Sequence, residues 1–283
     1  ALPIYEQPPV AAEDLNTEIR PALIRLGNEI SGRLAGQPAS RSAFDESVQV
    51  DCLWYEKKDE LFAALSDIRT YPDRFTQVKD SGLLRIGTTG DYPPFSAADN
   101  DDQFEGIDID LARDLAQSLG VNAVFVRTSW PRLSEDLING KYDVAMSGVS
   151  VIAAREAIGA FTQPYYAGGK TPIARCDKSN KFNGLEEIDL PGVRVIVNPG
   201  GTNERFLDSN LKQATKVLHQ DNRTIFSALL DGKADLMITD AIEVRLQTKQ
   251  HSDLCATMPG QLLNVQHKGY FMPRSPKLNQ AVD

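Results

Sequence analysis

At 283 residues the chain has room for two or three compact units of ordinary size and a large apolar core. Hydrophobic residues make up 41% and charged residues 24%, with 20 Gly and 16 Pro, which excludes a disordered, collagenous or fibrous chain. The net charge of -9 comes from 30 Lys and Arg against 39 Asp and Glu, and with no basic run to track a phosphate backbone, nucleic acid is not an expected partner.

The opening ALPIYEQPP has neither the basic start nor the apolar middle of an export signal. No apolar stretch approaches the roughly 18 residues of a membrane span. Leu15, Ile19, Leu23, Leu26, Ile30 and Leu34 recur at helix-like intervals, with Pro21 marking a kink or a helix start. GQPASRSAFD reads as a loop, and a second helix places Leu53, Leu61, Phe62, Leu65 and Ile68 on one side. YPDRF is a turn into a short helix before Gly82, so residues 1–78 read as a helical N-terminal segment.

From Leu83 the pattern changes to strands alternating with helices. LRIGTT reads as a strand, IDIDLARDLAQSLG as a helix and NAVFVRT as a strand; LSEDLINGKYDVAMSG follows as helix, turn and strand. The later part repeats the plan through VRVIVNPG, NERFLDSNLK, TKVLHQ, TIFSALLDGK and ADLMITD. Such βα repetition implies parallel sheets covered by helices. NGKYDVAMS and DGKADLMIT place a turn and a buried strand at corresponding points of two similar lobes, with a ligand cleft between them.

Four segments carry candidate chemistry. TTGDYPPFS follows a strand, and Asp91 and Tyr92 within it would supply a polar contact and an apolar wall, unless the segment is only a structural turn. SGVSVIAAREAI places Arg155 after Ser147 and Ser150, where a guanidinium would grasp a carboxylate with two hydrogen bonds; a surface Arg on an early helical turn is the alternative. NPGGTNERF runs through two glycines into a helix whose first N–H groups, with Thr202 and Asn203, suit a carboxylate. It is neither a Rossmann fingerprint nor a P-loop. Glu204 there is either a helix-terminal stabiliser or, in a buried pocket, a proton donor. Asp240 ends a strand, where it would accept from a ligand ammonium or cap the next helix. Trp130 and Lys170, in TSWP and GGKTP, add an aromatic wall and a cation near the lobe crossing.

Three histidines, His219, His251 and His267, lack ligand spacing, so no metal is expected, and no nucleophilic triad is legible. Of three cysteines, Cys176 and Cys255 lie in polar settings; a bond between them would contribute about 2 to 4 kcal/mol in an oxidising compartment. Reduced, partly buried thiols are the other reading.

Taken in order, SGLLRIGTTGDYPPFS, GIDIDLARDLAQSLG, TSWPRL, DVAMSGVS, FTQPYYAGGKTPIARC, VIVNPGGTNERF and DGKADLMITDAIEVRLQ resemble the periplasmic amino-acid-binding protein superfamily, over roughly residues 76–283. Within it they are similar to the periplasmic cyclohexadienyl dehydratases, which act on prephenate or arogenate. The resemblance implies an α/β, two-lobed type II periplasmic-binding-protein-like fold with the additional helical segment in front. It places lobe 1 at 79–173, joined by 266–283, and lobe 2 at 174–265. It implies decarboxylating dehydration of a small anionic substrate without a cofactor, with Glu204 as the acid. Asp91, Tyr92, Trp130, Ser147, Ser150, Arg155, Lys170, Thr202, Asn203 and Asp240 would bind the substrate. A solute-binding protein for an amino acid or keto acid is the alternative within the same fold. Export to the periplasm, with the signal removed, and a Cys176–Cys255 pair in lobe 2 follow from the resemblance. The fold normally continues past its last strand with helices that cover the first lobe, so the face left by SPKLNQAVD is expected to be short of cover. The sequence leaves the oligomeric state open.

Overall fold

The computed structural model describes residues 73–99 and 103–283. The helices expected within residues 1–72, and Cys52 with them, lie outside the described residues.

The Asp73 carboxylate accepts the Thr76 N–H at 2.9 Å and so starts α1 (Arg74–Ser81). β1 (Leu83–Thr88) follows, and β2 (Asp91–Tyr92), β3 (Ser96–Ala98) and β4 (Phe104–Glu105) make a small antiparallel sheet. α2 (Ile107–Ser118) turns Ile109, Ala112 and Ala116 inward at helical spacing. β5 (Asn122–Arg127), α3 (Leu133–Ile138), β6 (Val144–Ala145), α4 (Ala153–Glu156) and β7 (Ala160–Phe161) complete the first run.

The second run begins with β8 (Tyr166–Gly168), β9 (Lys170–Arg175), α5 (Leu185–Ile188), β10 (Arg194–Val197) and α6 (Thr202–Asn210). It continues through β11 (Thr215–Leu218), α7 (Ile225–Leu230), β12 (Leu236–Asp240), α8 (Ala241–Gln250) and β13 (Leu254–Ala256). The chain then passes through β14 (Gln266–Lys268) and β15 (Phe271–Met272) into α9 (Pro276–Val282).

Two five-stranded sheets result, ordered β5-β1-β6-β15-β7 and β11-β10-β12-β9-β13. In each, the first three strands are parallel and the last two pair antiparallel, so the sheets are mixed where the βα pattern implied purely parallel ones. The antiparallel strands are those by which the chain enters or leaves a lobe, and a short hydrophobic run carries no sign of strand direction. The lobe boundary shifts as well: β9, expected partly in lobe 1, is hydrogen-bonded within the second sheet. At the other end, α1 belongs to lobe 1, since Val78 lies in that lobe's core.

The short internal likeness has a physical basis. In lobe 1, Asp143 accepts the Arg85 N–H at 2.8 Å and its guanidinium at 2.7 Å. In lobe 2, Asp235 accepts the Arg194 N–H at 3.0 Å and its guanidinium at 3.2 Å. The Asp of each G-K-x-D turn thus clamps the start of the neighbouring parallel strand. Leu84, Ile86, Ala112, Val144 and Met272 form the first core; Ile173, Ile196, Ile225 and Met237, with Val195, Val197 and Ile238 on the opposite face, form the second. Burying such side chains contributes about 1.5 to 3 kcal/mol each. The face expected to lack cover carries α9, whose Leu278 and Val282 reach the lobe 1 core.

β8 and β14 pair antiparallel, His267 opposite Ala167, as the two strands on which the chain passes between the sheets. Cys176 and Cys255 are disulfide-bonded across a sequence separation of 79, beside the β9–β13 pairing. Closing so long a loop restricts the unfolded chain. Replacing both cysteines by serine is therefore expected to lower Tm by roughly 5 to 15 °C in a thermal scan.

Candidate functional site

The segments after the parallel strands β1, β6, β10 and β12 converge on a cavity walled by both lobes. Tyr92, Trp130, Ser150, Lys170, Asp240 and Lys268 are among its walls, together with Asn198, Thr202, Asn203, Asn222 and Glu243. The lobes are closed on it. The Tyr92 hydroxyl of lobe 1 donates to Asp240 Oδ2 of lobe 2, and Asn222 Nδ2 donates to the Asp91 carbonyl at 2.8 Å. Gly200 allows this approach, since a Cβ there would lie 2.6 Å from Pro131 Cα, and within lobe 1 a Cβ on Gly148 would lie 2.6 Å from the Tyr92 ring. Both have positive φ, at 63° and 77°, a conformation that other residues adopt only with strain.

Asp240 is the electrostatic centre. Its Oδ1 lies 2.8 Å from Lys170 Nζ and its Oδ2 accepts from Lys268 Nζ at 2.6 Å. Burial alone would raise its pKa, but the two ammonium groups outweigh burial and hold the carboxyl well below the usual range. Lys170, only 1% exposed, also donates to Thr202 Oγ1 at 3.0 Å and to Asn203 Oδ1. Lys268 reaches Ser150 Oγ at 2.9 Å and lies 5.0 Å from the Tyr92 ring centre; burial draws its pKa down, against the pull of Asp240.

Glu243 sits one helical turn after Asp240, 1% exposed. Burial pushes its pKa up to about 8, with the Thr239 hydrogen bond opposing and the Asp240 charge adding. Its carboxyl is therefore mainly protonated at neutral pH, inside a cavity whose wall sets Lys170 and Lys268 against the one charge of Asp240.

Arg155, 5% exposed, stands just behind the wall: its Nη1 donates to the Ser150 carbonyl at 3.0 Å and its guanidinium lies 6.0 Å from the Trp130 ring. It forms no ion pair among the described residues. Burial lowers its pKa to about 10, so the cation persists at neutral pH.

Besides Arg155, three expected site residues do not line the cavity. Glu204 does not line the cavity: its Oε2 accepts the Gly200 N–H at 2.7 Å and its Oε1 pairs with Lys216 at 3.0 Å. The carboxylate satisfies orphan N–H groups at the start of α6, and the outward turn of that position leaves it with an exposed lysine. Ser147 is fully buried in lobe 1, where its hydroxyl lies 2.8 Å from Thr89 Oγ1 and accepts the Thr89 N–H at 3.2 Å. Asp91 lines a second hollow behind the site and accepts the Trp130 indole N–H at 3.0 Å, so it orients that ring; burial raises its pKa. Asp240, expected to receive a ligand ammonium or to cap the next helix, faces the ammonium groups of Lys170 and Lys268, and its buried Oδ1 has no hydrogen-bond partner.

Sequence reasoning missed Glu243 and Lys268. The Asp-x-x-Glu spacing at a strand end, TDAIE, was a usable signal for the first, because Glu243 one turn into α8 faces the same way as its opening residue. Nothing local singles out Lys268: its place depends on β14 returning beside β8.

Residues 84–282 match the family model of bacterial extracellular solute-binding proteins, family 3. The chain is 46% identical to the cyclohexadienyl dehydratase of Pseudomonas aeruginosa over 220 residues, 78% of this chain and 82% of that one. It is 28% identical to the L-cystine-binding protein TcyJ of Escherichia coli, covering 74% and 78% of the two chains. Among solved structures, an ancestral amino-acid-binding protein that is a precursor of cyclohexadienyl dehydratase superposes with a TM-score of 0.68 at 30% identity, covering 74% of this chain and 92% of that one. An arginine-binding protein of Thermotoga maritima gives 0.68 at 25% identity, over 74% and 96%. Matching lobes, a closed interlobe cavity and a family match over most of its length place this chain in family 3 of the bacterial extracellular solute-binding proteins.

Proposed function

We propose that this protein is a cyclohexadienyl dehydratase acting in the periplasm, converting prephenate to phenylpyruvate, arogenate to phenylalanine, or both. The observation that carries the reading is Glu243, a buried carboxyl held protonated on the wall of a cationic cavity. Prephenate has two carboxylates and a ring hydroxyl. Cleavage of the bond from the ring to its carboxylate releases carbon dioxide, and that electron pair enters the ring as the C–O bond to the hydroxyl breaks. The hydroxyl leaves as water with a proton from Glu243, which solvent then restores, so one proton is consumed per turnover.

Aromatisation supplies the driving force, so the protein has mainly to position the substrate and deliver one proton. Arg155, with no counter-ion among the described residues, suits one carboxylate, and the ammonium groups of Lys170 and Lys268 add positive potential. Closure of the lobes excludes water, which strengthens these interactions. The 46% identity to a dehydratase supports the reading, and the Cys176–Cys255 disulfide and the extracellular family support the oxidising compartment. The competing reading, capture of a solute for transport, is favoured by the fold itself.

Purified protein is expected to form phenylpyruvate from prephenate with nothing added; stoichiometric capture without turnover would instead establish a transport role. Glu204→Gln, which alters a partly exposed ion pair worth about 0 to 1 kcal/mol, is expected to keep kcat within about threefold of the parent. A loss of turnover in that variant, with binding intact, would return the acid role to Glu204.

A further inference from the structure

Under the dehydratase reading, on which this inference rests, Glu243 gives up a proton at each turnover, and that proton has to be replaced. The front of the carboxyl is a poor entrance. While substrate or product fills the interlobe cavity it stands between Glu243 and solvent, and the wall there sets Lys170 and Lys268 against the one charge of Asp240, a balance that opposes an incoming proton. Glu243 has a second side, however. Among the described residues, only Glu243 and Asn222 line both the cavity and the hollow behind it. We propose that this rear hollow is the proton entrance: water held in it returns a proton to Glu243 while the lobes stay closed, with Gln247 as the positioning residue.

Three polar groups on the wall of the hollow lack hydrogen-bond partners among the described residues. Gln247 lies one helical turn after Glu243 on α8, is 6% exposed, and its side-chain amide is unpaired. Asn222 donates through Nδ2 to the Asp91 carbonyl, but its buried Oδ1 accepts nothing. Glu243 Oε2 accepts from Thr239, and Oε1 has no such bond. Buried polar groups of this kind cost free energy unless something bonds them, and in a hollow with room and several polar partners that something is water. The hollow is the roomier of the two spaces.

It also reaches the surface. Arg223 on its rim is exposed, and Ala98, contributed by lobe 1, is half-buried. Asp91 stands on the same wall and is among the charges that Glu243 senses. Burial raises the pKa of Asp91, Asp221 adds to the rise and Arg127 opposes it, so a second carboxyl able to take up and pass on a proton borders the path. The step is a proton transfer alone. After the leaving hydroxyl has taken the Glu243 proton and departed as water, the carboxylate takes a proton from the adjoining water, and bulk solvent replaces it. Nothing is oxidised or reduced, and one proton enters per turnover.

Two variants test the route. Gln247→Met keeps the length of the side chain and removes its polar end, and Ala98→Leu narrows the hollow from lobe 1. The first turnover uses the proton already on Glu243, so rapid quenching should find it at the parent rate, with later turnovers slowed about tenfold and a burst of one product per site. Refilling follows the irreversible loss of carbon dioxide, so kcat should fall and its solvent isotope effect rise while kcat/KM stays within about twofold. Gln247→Ser leaves polarity and room for water and should restore most of kcat, whereas a merely structural glutamine would be missed equally in both variants. Parent turnover with no burst and an unchanged kcat in both folded variants would overturn the inference and leave the dehydratase reading standing.

A second arm needs neither turnover nor a folded variant. The carboxyl stretch of protonated Glu243, assigned by its loss in Glu243→Gln, is followed by infrared spectroscopy after mixing into deuterium oxide. The parent should exchange as fast with saturating phenylpyruvate as without it, and Gln247→Met about tenfold more slowly. Exchange that stops when phenylpyruvate binds would put the entrance at the front and overturn the inference. A parent that turns over neither prephenate nor arogenate would overturn the dehydratase reading, and the infrared arm would still decide how protons reach Glu243.

Discussion

Glu243→Gln is expected to lower kcat for prephenate by about 10² to 10⁴-fold while leaving phenylpyruvate affinity within a few-fold. Glutamine keeps the shape of the side chain and an oxygen to accept the Thr239 hydroxyl, but it has no acidic proton to give. Because the reacting form is the protonated one, and burial pushes the group up to about 8, kcat for the parent should be level below that pH. Above it, kcat should fall tenfold for each further unit. Stability follows the same group. Between the ordinary value of 4.5 and about 8, the unfolded chain ionises Glu243 while the folded one keeps the proton. The folded state therefore binds more protons, and this group makes stability decline as pH rises through that window. Glu243→Gln should flatten the decline in Tm over that range. A kcat within tenfold of the parent and an unchanged pH profile would remove Glu243 from the mechanism.

Arg155→Met is expected to lower kcat/KM by about 10² to 10³-fold, because it withdraws a buried cation that has no counter-ion among the described residues and that would meet a substrate carboxylate. Arg155→Lys should recover only part of this, since an ammonium cannot offer the two parallel N–H groups of a guanidinium. The companion expectation concerns stability. A buried charge with no counter-ion opposes folding, and the methionine removes it at similar length, so Tm should hold or rise by a few degrees. A structural arginine would behave in the opposite way, losing Tm together with activity. Steady-state kinetics and a thermal scan on one preparation separate the two; a fall in Tm with kcat/KM preserved would exclude the binding role.

Much of this architecture was legible in the chain because it is written locally. The alternation of LRIGTT, IDIDLARDLAQSLG and NAVFVRT reports strand and helix by periodicity, and the paired turns NGKYD and DGKAD repeat because each lobe needs an Asp to hold the next strand's arginine. Strand direction at the lobe junctions was not local. β9 and β15 are antiparallel only through the sheets that they join.

The site divides in the same way. Tyr92, Trp130, Ser150, Lys170, Thr202, Asn203 and Asp240 stand at strand ends or helix starts, where the chain itself announces a polar or aromatic side chain, and the structure brings all of them to one cavity. Their tasks depend on neighbours distant in sequence. Glu204 and Glu243 are both glutamates in the first turn of a helix, and sequence alone favoured the wrong one for burial. One faces Lys216 and water, the other is sealed beneath the closed lobes. A proton donor is made by that desolvation, which belongs to the folded environment and not to the residue.

The sequence by itself determined the two-lobed α/β plan and the placing of a ligand cleft at the strand ends, because periodicity, composition and turn chemistry act over short stretches. Tertiary structure alone decided that Asp240 is a counter-ion to Lys170 and Lys268, that Arg155 has none among the described residues, and that burial raises the pKa of Glu243. Each of these is an electrostatic balance among groups from different lobes and crossing strands, and it exists only where burial removes the water that would otherwise screen them.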